Sequence, residues 1–421
     1  MRPWLVWLHR WTGLVLAGFL LLEGITGSVL AFRRPLEALV APELYAEPHG
    51  AHPPLRLAEL AARAETLAPE TRVGYFWVDD RQAVFSMLPR SNSAAAPVAI
   101  PSFNHLFLDP WTGRELGRRR DGDPSEGRIN VMPFIYRLHM DLALGAAGVW
   151  ILGVVSLAWT LDSVTGLYLT FPVSASGFLK RWRPAWLVKR PASVIRTNFD
   201  LHRAGGLWFW PILIVFAWSS VMFDLPSVYE PVMATLFDYR SEVDQIKAMP
   251  LHPNPNPRLG WDEAERLGEQ LMTAESARQG FRVRRPYGMA YIEDWGVYTY
   301  GVLSDIDVQG HAWTTSLWLD GDSGKLVSVD VPRGQRLGNA IGMWLRALHF
   351  ADLGDSVLYR SFVALFGLLV AMLSVTGVYI WLRKRSARRF STAHGRRDGE
   401  PARPVNHLRT DPVGTRSSDT A

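Results

Sequence analysis

The 421-residue chain contains no cysteine. That excludes disulfides, thiolate metal sites, iron–sulfur clusters, a cysteine nucleophile and covalent C-x-x-C-H attachment of haem. Neither a G-x-G-x-x-G nor a G-x-x-x-x-G-K-[ST] fingerprint occurs, so the chain is expected to receive its electrons rather than bind a nicotinamide itself. Charged residues are scarce at 20%, while 48% are apolar and 28 prolines interrupt long helices. Disordered, collagen and coiled-coil classes are thereby excluded. What is abundant is tryptophan, 18 residues, a side chain enriched where a bilayer meets water. The mean hydropathy of +0.01 then has two readings, a uniform soluble mixture or an average over very apolar and very polar stretches.

The positions of the apolar residues favour the second. Segments at about 11–32, 144–171, 205–223 and 357–382 read as transmembrane helices, each long enough for a hydrocarbon core that takes about 20 residues to cross. A cleavable signal peptide competes for the first segment, from Arg2, Arg10 and Val29-Leu30-Ala31, but the apolar stretch is long for one and carries Glu23. Residues 172–201 hold six Lys/Arg against one acid, and 383–421 hold ten against four. The stretches 33–135 and 225–346 are slightly acidic, with 12 basic to 13 acidic and 12 to 16. Both termini and the short basic loop are therefore expected in the cytoplasm and the two long loops outside. Arg33 and Arg34 run against this pattern and are outvoted by it. The +5 net charge is thus a topology signal and gives no reason to expect nucleic acid as a partner; the partner it implies is the lipid bilayer.

The expected order is a helix over 1–34, an α+β module over 35–135, a helix over 136–172, a basic loop over 173–201, a helix over 202–224, a second α+β module over 225–345, a helix over 346–383 and a disordered basic tail over 384–421. Each module reads as one helix (57–67, 261–275) followed by strands (73–78, 83–88, 104–108; 287–292, 297–302, 314–319) and a turn at Asp109-Pro110-Trp111-Thr112-Gly113 or Asp320-Gly321-Asp322-Ser323-Gly324.

The chain also repeats itself. His9-Arg10-Trp11-Thr12-Gly13 opens the first span and His202-Arg203-Ala204-Gly205-Gly206 opens the third, 193 residues later. Arg137-Leu138-His139-Met140-Asp141 precedes the second span, and Arg346-Ala347-Leu348-His349 precedes the fourth. Thr165-Gly166 and Thr376-Gly377 recur near the ends of those spans, 211 residues apart.

On the expected topology His9 and His202 fall near the cytoplasmic face and His139 and His349 near the outer face. One histidine pair per face is what bis-imidazole haem ligation needs, a neutral nitrogen on each side of the iron. Arg10, Arg203, Arg137 and Arg346 stand beside the four histidines and suit haem propionates. The competing readings are interfacial anchors and a zinc site on the outer face completed by Asp141 and Asp352, which otherwise orient the ligands. Glu23, within the first span, is a candidate proton relay or a cap for core hydroxyls. Asp162 reads as structural. His105 and His311 are candidate substrate contacts, whereas His49, His52, His252, His394 and His407 look peripheral.

These motifs, their order and their duplication resemble the PepSY-associated transmembrane proteins, also called iron-regulated inner-membrane proteins, over about residues 1–385. Within that family the chain is similar to the di-haem ferrisiderophore reductases. The resemblance implies a multi-pass bacterial inner-membrane protein of four transmembrane helices in two tandem repeats, each with a periplasmic PepSY-like module. It implies two non-covalent b-type haems on His9, His202, His139 and His349, oxidoreductase activity, and electron flow from an unknown cytoplasmic donor to a periplasmic ferric-siderophore. Two other classes stand beside it: a membrane-anchored PepSY interaction or protease-regulating protein without redox activity, and a transporter, which lacks the paired helix interruptions such sites use.

Overall fold

The computed structural model describes residues 1–48, 53–90, 102–249, 251–312, 314–354 and 356–397. His49, His52, His407 and the end of the expected tail lie outside the described residues. In chain order the helices are α1 (Arg2–Leu30), α2 (Arg33–Val40), α3 (Leu57–Leu67), α4 (Val131–Asp141), α5 (Ala146–Thr170), α6 (Phe178–Trp182), α7 (Val194–Trp208), α8 (Trp210–Asp224), α9 (Pro226–Leu236), α10 (Glu242–Lys247), α11 (Trp261–Gln279), α12 (Leu337–His349) and α13 (Val357–Arg397). The strands are β1 (Thr71–Val78), β2 (Ala83–Pro89), β3 (His105–Leu108), β4 (Glu115–Arg119), β5 (Val283–Ile292), β6 (Val297–Ser304), β7 (Thr315–Asp320) and β8 (Leu326–Asp330).

Helices α1, α5 and the Val357–Ser386 part of α13 are long and apolar enough to cross a membrane. A fourth crossing is available where α7 and α8 count as one span, bent by 70°. The straight span expected over 205–223 is therefore corrected to a broken one. Pro211, in the first turn of α8, has no N–H to offer the preceding turn, so the helix cannot run through it. The tail is corrected too. Helix α13 continues to Arg397, where residues 384–397 hold five arginines, good helix formers, and no proline.

The helices pack through small residues, as bilayer helices must when no hydrophobic gradient drives them together. A Cβ on Gly24 would stand 2.5 Å from the carbonyl oxygen of Gly367, and one on Gly367 would stand 2.5 Å from that of Gly24. Ser28 Oγ reaches across from α1 to the Ala364 carbonyl at 2.8 Å. On the other side of the bundle, a Cβ on Gly153 of α5 would meet the Asp224 carbonyl of α8 at 2.9 Å.

His139 and His349 do not open the second and fourth spans. Each lies near or at the end of its own short helix, α4 or α12. Left-handed residues follow, Leu142 (φ 54) and Ala143 (φ 56) after α4, and Ala351 (φ 52) after α12, and such residues stop a helix. Only glycine fits at 148, where a Cβ would overlap the Asp141 carbonyl at 1.6 Å.

The two α+β modules were expected as separate units. Their strands instead join in one antiparallel sheet of order β4-β3-β2-β1-β5-β6-β7-β8. The seam is β1 against β5, with Tyr75 opposite Ala290, Phe76 opposite Met289 and Trp77 opposite Gly288. Pairing the first strand of each half removes two open edges, which would otherwise present unpaired backbone groups. Helices α3 and α11 share one core on one face, around Leu60, Phe76, Phe85, Met289, Tyr300 and Leu317. Glu265 of α11 accepts the backbone N–H groups of Leu57 (3.0 Å) and Ala58 (2.9 Å), so it caps α3 of the other half. Strands β4 and β8 extend the sheet beyond the strands expected from periodicity.

Candidate functional site

The four histidines meet in two pairs. The His9 and His202 ring centroids are 6.4 Å apart with planes at 57°. Those of His139 and His349 are 6.3 Å apart with planes at 56°. The first pair lies on α1 and α7 at the ends of the helices remote from the sheet, and the second on α4 and α12 at the sheet end. His139 touches Thr26 and His9 lies 17 positions earlier on α1, which at 1.5 Å per residue separates the pairs by about 25 Å along that helix.

Each imidazole is held by Nδ1. His9 Nδ1 donates to Asp162 Oδ1 at 2.9 Å. His202 Nδ1 donates to the Leu373 carbonyl at 3.0 Å, with Thr376 Oγ1 at 3.2 Å. His139 Nδ1 lies 2.9 Å from both Thr26 Oγ1 and Glu23 Oε2. His349 Nδ1 lies 2.7 Å from Ser219 Oγ. Thr26 and Ser219 spend their own protons on the Leu22 and Phe216 carbonyls, and a carbonyl or carboxylate can only accept. The proton must therefore sit on Nδ1 in all four rings, which leaves the lone pair on Nε2. Among the described residues Nε2 has no hydrogen-bond partner. A pair held this way can present two neutral nitrogen donors to one metal from opposite sides.

Glycine makes room for the rings. A Cβ on Gly27 would stand 3.1 Å from His139 Cε1, and Cβ atoms on Gly166 and Gly377 would stand 3.3 Å from His9 and His202 Cε1. Between the pairs lies an apolar cluster centred on Leu213, Phe366 and Val370, with Leu20, Trp159 and Phe216 against it.

A cavity of about 690 Å³ opens beside His139 and His349. Its walls are mostly apolar, with Glu23 and Asp224 inside and Arg33, Arg34, Arg346 and Arg360 at the rim. Of the arginines singled out in the sequence, Arg346 lines this space, its guanidinium 5.3 Å over the Phe223 ring. Arg137 does not: it turns to Asp141 at 3.9 Å. Arg203 is committed to Asp200 at 2.9 Å and the Pro184 carbonyl at 2.7 Å. Arg10 is half-buried next to His9. Arg33 and Arg34, dismissed as topology exceptions, are at the cavity instead.

The Glu23 carboxylate does not cap core hydroxyls. One oxygen meets His139 and the other, Oε1, is buried without a hydrogen-bond partner among the described residues. Asp141 and Asp352 join neither pair, which removes the three-ligand zinc arrangement. Among the described residues no group of three or more His, Asp or Glu side chains is placed to hold a metal ion. Asp352 accepts from His311 Nδ1 at 2.9 Å. Burial disfavours its carboxylate, but the hydrogen bonds and charge of His311 outweigh that and hold Asp352 below the ordinary carboxylate range. His311 thereby reaches the cavity wall. His105 sits on β3 near Asp121 (3.4 Å), away from both pairs, and burial pushes its imidazole below its ordinary value.

Sequence reasoning missed Thr26, Ser219 and Thr376 and read Asp162 as structural. A signal was present: Thr26 and Ser219 are 193 positions apart, the His9–His202 interval.

The family described as PepSY-associated TM region matches residues 6–384. A Pseudomonas aeruginosa protein named Uncharacterized protein PA4219 is 22% identical over 275 residues, covering 61% of this chain and 64% of that protein. The chain thus spans less than two thirds of the length of the curated relative it matches.

Proposed function

The chain belongs to the PepSY-associated TM region family, and from that premise we propose that it is an inner-membrane di-haem electron-transfer protein. The observation that carries this reading is the pair of matched imidazole sites, 6.4 and 6.3 Å between ring centroids, at the two ends of an apolar bundle. On this reading His9 and His202 hold one b-type haem and His139 and His349 the other. A haem bound there supplies reversible one-electron chemistry at its iron. The residues of the chain do the rest. Asp162, the Leu373 carbonyl, Thr26 with Glu23, and Ser219 fix the tautomer and direction of each ligand. Arg346 and Arg33 at the sheet-side rim would meet the carboxylates of a bound haem, while Arg34 is held by Asp79 at 2.8 Å.

On this reading, which the positive-inside pattern supports, both termini and the basic loop lie in the cytoplasm and the sheet in the periplasm. The four spans then form two tandem repeats, and electrons travel from a cytoplasmic donor to a periplasmic acceptor. A ferric-siderophore fits as acceptor, because reduction of ferric to ferrous iron weakens its hold on hard oxygen ligands.

The test is a reduced-minus-oxidised absorption spectrum of the purified full chain with haem quantified per chain. Two haems per chain, both reducible, are expected. A chain without haem overturns the reading and leaves a membrane-anchored interaction protein in its place.

A further inference from the structure

The end of the bundle remote from the sheet carries a basic surface that is folded against the helices. The segment between α5 and α7 is tied down at four points. Arg203 of α7 donates to the Pro184 carbonyl at 2.7 Å, and Trp208 donates to the Trp186 carbonyl at 3.1 Å. The Lys189 backbone N–H reaches Asp200 at 3.2 Å, and Trp182 Nε1 reaches Thr170 Oγ1 at 3.1 Å. The Trp182 ring packs edge-on against Phe171 (5.2 Å) and Trp186 (5.1 Å). With the backbone and rings held this way, Lys180, Arg181, Arg183, Lys189 and Arg190 are left exposed. The acids of residues 1–22 and 162–201 are Asp162 and Asp200, whose side chains are 10% and 0% exposed. Asp162 is spent on His9, and Asp200 on Arg196 and Arg203. Neither neutralises the exposed cations.

An apolar centre lies within this basic surface. Phe199 stands three residues, about one helical turn, before His202 on α7 and is 38% exposed. The Arg203 guanidinium is 5.3 Å from its ring centroid, and Lys384 Nζ of α13 is 5.7 Å away. An open aromatic ring flanked by cations has the anatomy of a protein contact, an apolar anchor inside a charged rim.

The positive-inside bias accounts for the number of cations on this side. It does not account for a cationic segment fixed around an aromatic ring beside a ligand histidine. Lipid headgroups compete for such cations, but α13 argues for a protein. The apolar part of α13 ends at Ser386 and the helix continues 11 residues to Arg397, about 16 Å along its axis. A headgroup layer is only about 5–8 Å deep. Arg388, Arg389, Arg396 and Arg397 belong to that extension.

We infer that this surface docks the electron donor, and that the donor is a small acidic one-electron carrier protein seated on Phe199. The inference rests on the electron-transfer reading: the carrier loses one electron, the iron centre at His9 and His202 gains it, and no proton or covalent bond moves. Docking itself requires no electron transfer.

The test measures binding of two acidic probes, a plant-type [2Fe–2S] ferredoxin and a flavodoxin, both oxidised. The purified full chain is held in nanodiscs of phosphatidylcholine, with basic cytochrome c as the comparison. At least one acidic probe should bind, and cytochrome c should not. Its affinity should fall by at least about tenfold between about 50 and 300 mM salt. Joint replacement Lys180→Glu, Arg181→Glu and Arg183→Glu should cost at least about tenfold at low salt, with both haems retained as evidence of folding. Phe199→Ala, which changes no charge, should cost about threefold at either salt concentration. Arg284→Glu, on the sheet, should change nothing. Affinity indifferent to salt or to the triple reversal overturns the assignment. Loss of binding when anionic phosphatidylglycerol enters the disc also overturns it and gives the cations to lipid. A chain that holds two haems and binds neither acidic probe overturns this surface alone. Binding by a chain without haem keeps the surface and overturns the electron-transfer reading.

Discussion

The two ends of the helical bundle hold their histidines in nearly the same way and surround them differently. Ring separations differ by 0.1 Å (6.4 against 6.3 Å) and plane angles by 1° (57° against 56°). At the end remote from the sheet, His9 is held by the carboxylate of Asp162 and His202 by a backbone carbonyl. At the sheet end the holders are the hydroxyls of Thr26 and Ser219 together with Glu23, and a large cavity with an arginine rim opens beside the rings. What the two ends share is the presentation of Nε2. What differs is the space around it. The lesson is that imidazole geometry serves a role common to both ends, and the surroundings divide the roles, with a chamber rimmed by arginines beside the sheet-side pair.

The comparison breaks first at the ligands. Under the di-haem reading, His139→Ala should lower haem from two to one per chain and remove the sheet-side centre, and His9→Ala should remove the other. Haem quantification together with the redox difference spectrum of each variant checks this. Loss of both haems from either variant would show that the ends are not independent.

A smaller effect is expected at the glycines. Gly27→Val puts side-chain atoms on a ring already 3.1 Å from the position of a Cβ, and Gly166→Val does the same at 3.3 Å for His9. Each should lower haem retention at its own end by severalfold, read as the rate of haem loss to a scavenging apoprotein. Smaller again are the holders of Nδ1, whose removal typically costs about 10–100-fold in metal affinity. Asp162→Leu should fall at the upper end of that range, because a carboxylate is lost, and Ser219→Ala at the lower end. Equal effects would mean that the charge of the Nδ1 partner does not set how tightly a ligand histidine holds its metal.

The smallest effect concerns the cavity wall. Asp352 is held below the ordinary carboxylate range by His311. A depressed carboxylate adds stability that is present above its unfolded value, about 3.9, and is lost as pH falls through the folded one. Asp352→Asn should therefore lower thermal stability near neutral pH. The gap to the unmodified protein should close as pH falls below about 4. A gap independent of pH would mean that the His311 contact contributes by shape alone.

Much of this was legible in the sequence because it depends on periodicity and identity. Long apolar runs gave α1, α5 and α13, and the duplicated His motifs marked the residues that the fold brings together. The bend before α8 was available in Pro211 but was outweighed by the apolar run around it. Fusion of two modules into one sheet was not legible, since the seam partners Tyr75 and Ala290 are 215 residues apart and alternation within a strand does not name its neighbour. The Nδ1 partners were hidden for a similar reason. Thr26, Ser219 and Asp162 lie on helices other than those of the histidines they hold, so only packing reveals the contact.

The central claim is that each end presents two histidine Nε2 atoms to one iron. Electron paramagnetic resonance of the oxidised, purified full chain tests it most directly. Two low-spin ferric centres of bis-imidazole type are predicted, one lost in His139→Ala and the other in His9→Ala. High-spin ferric signals in the unmodified protein, or a single centre that survives both substitutions, would contradict it.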